Sequence, residues 1–414
     1  MSGNEMRYIQ EAFDTNWVVP LGPNVNGFED DLKRFVTSSC SSYKDVVSHR
    51  NEEYPQTILP HENDPERLWR DPIKGLEDKH VVALCSGTAA VHLALIALGV
   101  EAGDEVICQS FTFCASSHPV TYQGATPVFV DSEKETWNMD PVLLEEAIKD
   151  RIAKTGKKPK AIIVVYLYGM PAKIKEILAI ADKYDIPVVE DAAEGLGSRY
   201  DGQVCGTFGE YGVLSFNGNK MITTSGGGAL ICPNEAARND VMFYATQARE
   251  GYPYYQHEKI GYNYRMSNVC AGIGRGQMTV LDEHIAHHRH IAHLYEEAFK
   301  KIEGIDFHAN PSSEYDSNYW LNTITIDPSI KVRGQENAYK TTVKGAVGGA
   351  AGVIHAVDSA HTDCEPNTNV EAMRVFLDKA NIESRPLWKP MHKQPCYKDC
   401  PAYLNGVSES LFSK

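Results

Sequence analysis

The sequence predicts an α/β fold with a mostly parallel central sheet covered by helices on both faces. Two observations predict it. From about residue 80, short apolar runs alternate with helical segments, and the runs are of the fully buried kind rather than the half-polar kind. HVVALCS reads as a strand and GTAAVHLALIALG as a helix closed by Gly99. DEVICQS and TPVFVD are strands, with FTFCASSHPVTYQG between them as a helix. PVLLEEAIKDRI is a helix, KPKAIIVVYLYG a strand, PAKIKEILAIADKYD a helix and IPVVED a strand. Ahead of these, Ser2 and Glu5 form a capping-box pattern, and Ile9, Ala12 and Phe13 fall on one helical face. Ligands of such sheets bind beyond the carboxyl ends of the strands, so residues there are the ones to inspect.

The length of 414 residues suits two or three domains and a sizeable core. A formal charge of −15 argues against a coat for nucleic acid or for an anionic membrane, since both need a basic face. It leaves room for an anionic small substrate held by a local cluster of Arg and Lys. No apolar run reaches membrane-spanning length, and MSGNEMRYIQEAF is not a secretory leader, so a cytoplasmic enzyme is the expectation.

Ten cysteines are too sparse for a disulfide framework, and Cys85, Cys108 and Cys232 sit in apolar runs as reduced structural thiols. Cys396 and Cys400 form one CxxxC pair with no second pair at zinc-site spacing. His284, His287, His288, His290 and His293 share a predicted helix, where an exposed face explains them more simply than a metal; no metal is expected. Residues 38–79, with Pro55, Pro60, Pro65 and Pro72, suit a long surface loop, and 331–369 form a Gly- and Ala-rich excursion.

Three strand-end features carry chemistry. Ser86-Gly87-Thr88-Ala89-Ala90 turns a strand directly into a helix, whose free N–H groups and dipole make a phosphate seat. Asp191, at the end of IPVVE and beside Glu190 and Glu194, is costly to bury unless it meets a cation such as a protonated pyridine nitrogen; a turn or cap is the alternative. Lys220 follows the strand-like GVLSF and precedes the Gly-rich turn at 226–228. A lysine partly desolvated near cations becomes a nucleophilic amine, as a Schiff base with an aldehyde cofactor requires. Ser215, five residues earlier, is placed to donate to the same phosphate as Thr88. Phosphate seat, acid and lysine in this order are the pattern of a pyridoxal-phosphate enzyme.

The sequence resembles the sugar aminotransferases of the DegT/DnrJ/EryC1/StrS group, within the fold-type-I pyridoxal-phosphate enzymes. The matching stretches are SGTAAVHLALIALGVEAGDEVICQSFTF, GATPVFVD, VVEDAAEGLGS, SFNGNKMITTSGGGAL, GYNYRMSN and ESRPLWKPMHKQP. SFNGNKMITTSGGG is similar to the branch that aminates nucleotide-linked 4-keto-6-deoxy sugars. The resemblance implies that Lys220 binds the cofactor aldehyde and then shuttles a proton, that Asp191 pairs with the ring nitrogen, and that Glu194 lies near the ring hydroxyl. It implies Phe113 on the ring face, Gly87, Thr88 and Ser215 on the phosphate, and Asn263 reaching the phosphate across a homodimer interface. A large cofactor domain over 1–285 and a smaller C-terminal α/β domain over 286–414 follow from it.

For the substrate, the resemblance implies a nucleotide-diphosphate keto sugar, with glutamate as donor leaving 2-oxoglutarate. Arg249, Arg265, Arg385, Lys389, His392 and Lys393 lie in or beside matching blocks and offer a basic patch for the diphosphate, with ordinary surface charge the alternative for each. The family pattern lacks the 38–79 and 331–369 insertions, and continues past SESLFSK with a further strand and helix. Two rivals stay open: a pyridoxamine-dependent sugar dehydratase, in which histidine replaces the lysine, and a non-catalytic regulatory or scaffolding member. Lys220 speaks against the first and the intact Asp191–Lys220 pair against the second.

Overall fold

The structure is a computed structural model that describes residues 1–38, 72–338 and 365–414. The expected 38–79 loop and 331–369 excursion fall largely outside the described residues.

Two helices open the chain, α1 (Glu5–Asp14) and α2 (Pro23–Thr37). Glu5 reaches back to the Ser2 N–H at 2.7 Å, as a capping box requires, although the helix itself starts after Asn4. Ala12 is buried as expected, while Phe13 is exposed. The alternating part follows as β1 (His80–Leu84), α3 (Gly87–Ala97), β2 (Glu105–Gln109), α4 (His118–Tyr122), β3 (Thr126–Val130) and α5 (Pro141–Thr155). Next come β4 (Ala161–Val165), α6 (Ile174–Tyr184), β5 (Val188–Asp191), β6 (Arg199–Tyr200), β7 (Gln203–Val204), β8 (Tyr211–Ser215), β9 (Gly228–Cys232) and α7 (Glu235–Ala245). The helix expected over 111–124 is broken: a 3-10 turn spans Cys114–Ser116 and α4 begins only at His118. Pro119 is the reason, because its missing N–H and fixed φ are tolerated in a first turn and not further along.

Eight strands form one sheet in the order β1-β9-β8-β5-β4-β2-β3-β13, where β13 is Ala402–Tyr403. β9 runs antiparallel to both its neighbours, and the other pairs are parallel. Residues along each strand alternate between two buried layers. Ile107, Ile162, Val164 and Val188 pack with α2, α5 and α6, while Val106, Cys108, Ile163 and Val189 pack with α3, α4 and α7. Both faces are therefore dry, which accounts for the continuous apolar runs. Cys108 and Cys232 are buried as expected; Cys85 is exposed, because it lies just past β1 where the chain turns toward α3.

The topology decides where the site lies. β1, β5 and β8 all point the same way, so Leu84, Asp191 and Ser215 share one edge of the sheet. Antiparallel β9 brings its first residue there too: Gly228 pairs with both Leu84 and Ser215. A β-carbon on Gly228 would lie 2.3 Å from the Ser86 carbonyl carbon, so only glycine lets β9 approach the start of α3 this closely.

The C-terminal part comprises α8 (Asn268–Met278), α9 (Leu281–Phe299), the antiparallel pair of β10 (Ile305–Phe307) and β12 (Ile324–Ile326), α10 (Thr368–Lys379) and α11 (Val407–Ser413). β11 (Tyr315–Asp316) pairs with β6 of the larger part. The expected division at 285/286 falls inside α9, and β13 returns to the main sheet, pairing Ala402 with Phe129 and Tyr403 with Val130. A continuous helix and a shared sheet edge thus cross the expected boundary.

On α9, His288 meets the Tyr319 carbonyl at 3.0 Å, so this part of the helix faces the protein. Among the described residues no three His, Cys, Asp or Glu side chains are gathered for a metal, and no helix is long and apolar enough to cross a membrane.

Candidate active site

At the shared edge, Ser86 caps α3 by accepting the Ala89 N–H at 3.1 Å, and the N–H groups of Gly87 and Thr88 open the first turn ahead of it. Ser215 lies against this turn: a β-carbon on Gly87 would be 3.1 Å from the Ser215 Cβ. Gly87 and Ser215 are thus in close approach, and Thr88, half-buried, follows Gly87 in the same turn.

Asp191, the last residue of β5, is 4% exposed. Ser116 donates its hydroxyl to Oδ2 at 2.6 Å and the Ala193 N–H donates to Oδ1 at 3.2 Å. Burial pushes the carboxyl above its ordinary range, opposed by these hydrogen bonds and by the Lys220 ammonium. Glu190, one residue earlier, faces the other layer, where Tyr166 and the N–H groups of Gly206 and Gly209 bind it. Period two separates the acids: Glu190 is structural and Asp191 faces the site.

Glu194 is also buried. Its Oε2 accepts the Tyr168 N–H at 2.7 Å, and its Oε1 lies 3.5 Å from Lys220 Nζ. Burial, only partly opposed by the ammonium, pushes the Glu194 carboxyl up to about 7. The Lys220 Nζ also stands 4.1 Å from the Trp320 ring centroid. An acid and an aromatic face are the neighbours of this amine, where the sequence suggested cations.

Aromatic rings wall the site. Phe113 is 54% exposed and its ring lies 5.4 Å from that of Trp388, which lies 5.2 Å from Tyr168 and 6.3 Å from Trp320. The Trp388 N–H donates to the Tyr168 hydroxyl at 2.8 Å. Sequence reasoning missed Ser116, Tyr168, Trp320 and Trp388; only Trp388 stood in a recognised stretch, and none had a local pattern to announce it.

The basic patch divides. Arg249 is exposed over the Tyr255 ring, and Arg385 is exposed and pairs with Glu383 at 2.9 Å. Lys389 is half-buried next to Trp388, and Asn263 is exposed with its backbone bridged to Thr246. Arg265 revises the expectation: its guanidinium is 8% exposed, 2.5 Å from Glu29 and 3.0 Å from the Ala83 carbonyl, so its charge is matched inside the fold. His392 is also held within the fold. Its Nδ1 meets the Ser110 hydroxyl at 2.6 Å and its Nε2 meets Glu409 at 3.1 Å, fastening α11 to the end of β2, while Lys393 pairs with the same acid. Arg265→Ala is therefore expected to cost about 2 kcal/mol of unfolding free energy, because buried Glu29 is left with the Ala83 N–H at 2.8 Å and the more distant Arg238 at 3.8 Å. A urea midpoint equal to wild type would show that this pair does not support the fold.

An α/β sheet whose strand ends gather a lysine, two buried acids and aromatic rings is the arrangement of a candidate enzyme site. The chain belongs to the DegT/DnrJ/EryC1/StrS aminotransferase family, whose model matches residues 73–347. It is 40% identical to EpsN of Bacillus subtilis (strain 168), which carries the name of a pyridoxal phosphate-dependent aminotransferase, over 100% of this chain and 87% of that one. It is 31% identical to the GDP-perosamine synthase of Escherichia coli O157:H7, over 96% of this chain and 85% of that enzyme. A crystal structure of a DegT DnrJ EryC1 StrS aminotransferase from Brucella abortus has the same fold, with a TM-score of 0.74 at 24% identity, covering 99% of this chain and 88% of that one.

Proposed function

We propose that this chain is a pyridoxal 5'-phosphate-dependent aminotransferase that moves an amino group from glutamate to a nucleotide-linked 4-keto-6-deoxy sugar. The observation that carries this reading is the convergence of Lys220, Asp191 and Glu194 beside the N-terminus of α3. The residues present fit the cofactor: a carboxylate buried at a cost suits a cationic ring nitrogen, and the glycine-lined start of α3 suits a phosphate. The name of the GDP-perosamine synthase relative and the SFNGNKMITTSGGG stretch support a nucleotide-linked sugar.

When bound, pyridoxal phosphate supplies an aldehyde carbon and a ring that accepts electron density. The N–H groups of Gly87 and Thr88, with the Thr88 and Ser215 hydroxyls, hold the phosphate. Asp191, aimed by Ser116 and Ala193, holds the ring nitrogen in its protonated form. Phe113 would pack on the ring, and in a homodimer Asn263 of one subunit would help to hold the phosphate of the other. Lys220 offers the attaching amine and then carries a proton at Nζ. Glu194, with its carboxyl near 7, holds or gives up a proton beside that amine. Of the basic patch, Arg249 and Lys389 are the cations proposed to meet a diphosphate, while Arg385 is paired with Glu383.

Incubating the protein with pyridoxal phosphate, glutamate and GDP-, UDP- and dTDP-linked 4-keto-6-deoxy sugars should yield an amino sugar nucleotide and one equivalent of 2-oxoglutarate. Absence of 2-oxoglutarate with all three sugars defeats this reading.

The Glu194 environment also predicts a pH dependence without cofactor. The folded carboxyl is raised from 4.5 to about 7, so its contribution to stability is fullest below pH 4.5 and is lost as the pH rises through 7. Between pH 5 and 8, the stability of Glu194→Gln relative to wild type should move in the variant's favour by about 2 kcal/mol. Urea unfolding at the two pH values measures it, and an unchanged difference contradicts the burial argument.

A further inference from the structure

We propose that Trp320 is a positioning residue that aims the Lys220 amine, a role resting on the reading of Lys220 given above. Lys220 ends a turn whose other residues, Asn217, Gly218 and Asn219, are all exposed. A β-carbon on Gly218 would meet nothing within 4 Å, so the tip of the turn is unpacked, although Phe216 before it and Met221 after it are buried. Two contacts from Trp320, itself 6% exposed, hold the turn. The indole N–H donates to the Asn219 carbonyl at 2.7 Å, and the ring face lies 4.1 Å from the Lys220 Nζ. One contact pins the backbone next to the lysine and the other pins the end of its side chain.

Trp320 is fixed in turn by Asn318, which is fully buried. Its Oδ1 accepts the Trp320 N–H at 2.8 Å, and its Nδ2 donates to the carbonyls of Glu194 at 2.8 Å and Leu196 at 2.9 Å. One amide therefore holds the backbone of both side chains that touch the lysine amine, Glu194 and Trp320. The loop closes from Asn318 through Trp320 to Lys220, and back through Glu194. The amine is docked between an acid and a ring set on one frame, so a flexible four-carbon side chain on an exposed turn keeps a single direction.

The test compares wild type, Trp320→Phe and Trp320→Leu in the full chain, with two readouts. The first needs no cofactor: reductive methylation of the apoprotein by formaldehyde and cyanoborohydride, with the Lys220 peptide followed by mass spectrometry against exposed Lys157. Lys220 should be protected in wild type. Protection should fall about threefold in Trp320→Phe, which keeps a ring face but loses the N–H, and about tenfold in Trp320→Leu, which loses both. The second is the rate at which added pyridoxal phosphate is trapped on Lys220 by borohydride, which should fall in the same order while exposed lysines are unchanged. If Trp320→Leu does not fold, the more conservative Phe variant decides alone. Equal protection and equal trapping in wild type and Trp320→Phe overturn the proposal. If no protein traps pyridoxal phosphate at Lys220, the cofactor reading falls, while the methylation result still judges the positioning.

Discussion

Replacing Lys220 by Ala should lower 2-oxoglutarate formation by about 10³-fold or more. A positioned acid–base group contributes on the order of 10²–10⁴ by itself, and the same amine is the attachment point. The fold should survive the change. The side chain ends an exposed turn, and Glu194 is not stranded as a charge when the ammonium is removed. Its carboxyl already lies near 7, Lys220 is one of the groups pulling it down, and without that pull it takes up a proton. Unfolding free energy at pH 7 should therefore change by only about 1 kcal/mol. Lys220→Arg sharpens the test, because it keeps a cation beside Glu194 and Trp320 but provides no amine that deprotonates at working pH. Both variants should be folded and inactive, as judged by coupled 2-oxoglutarate assay and urea titration. More than a tenth of wild-type turnover in either would remove Lys220 from the chemistry.

The parts of this site legible in the sequence are those whose signal is local. Apolar runs alternating with helices place residues at strand ends, and the strand ends carry Ser86, Gly87, Asp191 and Ser215. The Lys220 stretch was legible too, because a lysine between a strand and a glycine turn fits a solvated face poorly. What stayed hidden depends on distance along the chain. Ser116 reaches Asp191 across 75 residues, and Trp320 reaches Asn219 across 101. β13 joins the sheet beside β3 although more than 270 residues separate them. Nothing local in SNYW or PAY marks those meetings. Charges posed the opposite difficulty. Arg265 and His392 read as available for a substrate because a sequence does not show that Glu29 and Glu409 already hold them. Glu190 and Asp191 differ only in which face of β5 they occupy, a distinction that period two makes and that register against β8 settles.

Asp191→Asn should separate activity from stability with opposite signs. Among the described residues the buried carboxylate meets a hydroxyl, an N–H and the influence of Lys220, and burial wins by pushing its pKa up. Folding thus favours the protonated form, and the contribution to stability is lost as the pH rises through the folded pKa. Asparagine removes that cost while keeping the shape and an acceptor for Ser116. The apoprotein should then be as stable as wild type or more stable at pH 8, with the variant's advantage shrinking toward pH 4. Catalysis should move the other way. A neutral amide does not hold a ring nitrogen protonated, and loss of one preorganised electrostatic partner costs on the order of 10²–10³ in turnover. An acid kept where the empty fold would be better without it is the trade between stability and function expected of an active site. Urea midpoints at pH 4 and 8, measured beside turnover, decide the matter: a variant that loses stability at pH 8 together with activity would make Asp191 a structural acid, and one that keeps full turnover would remove it from the ring nitrogen.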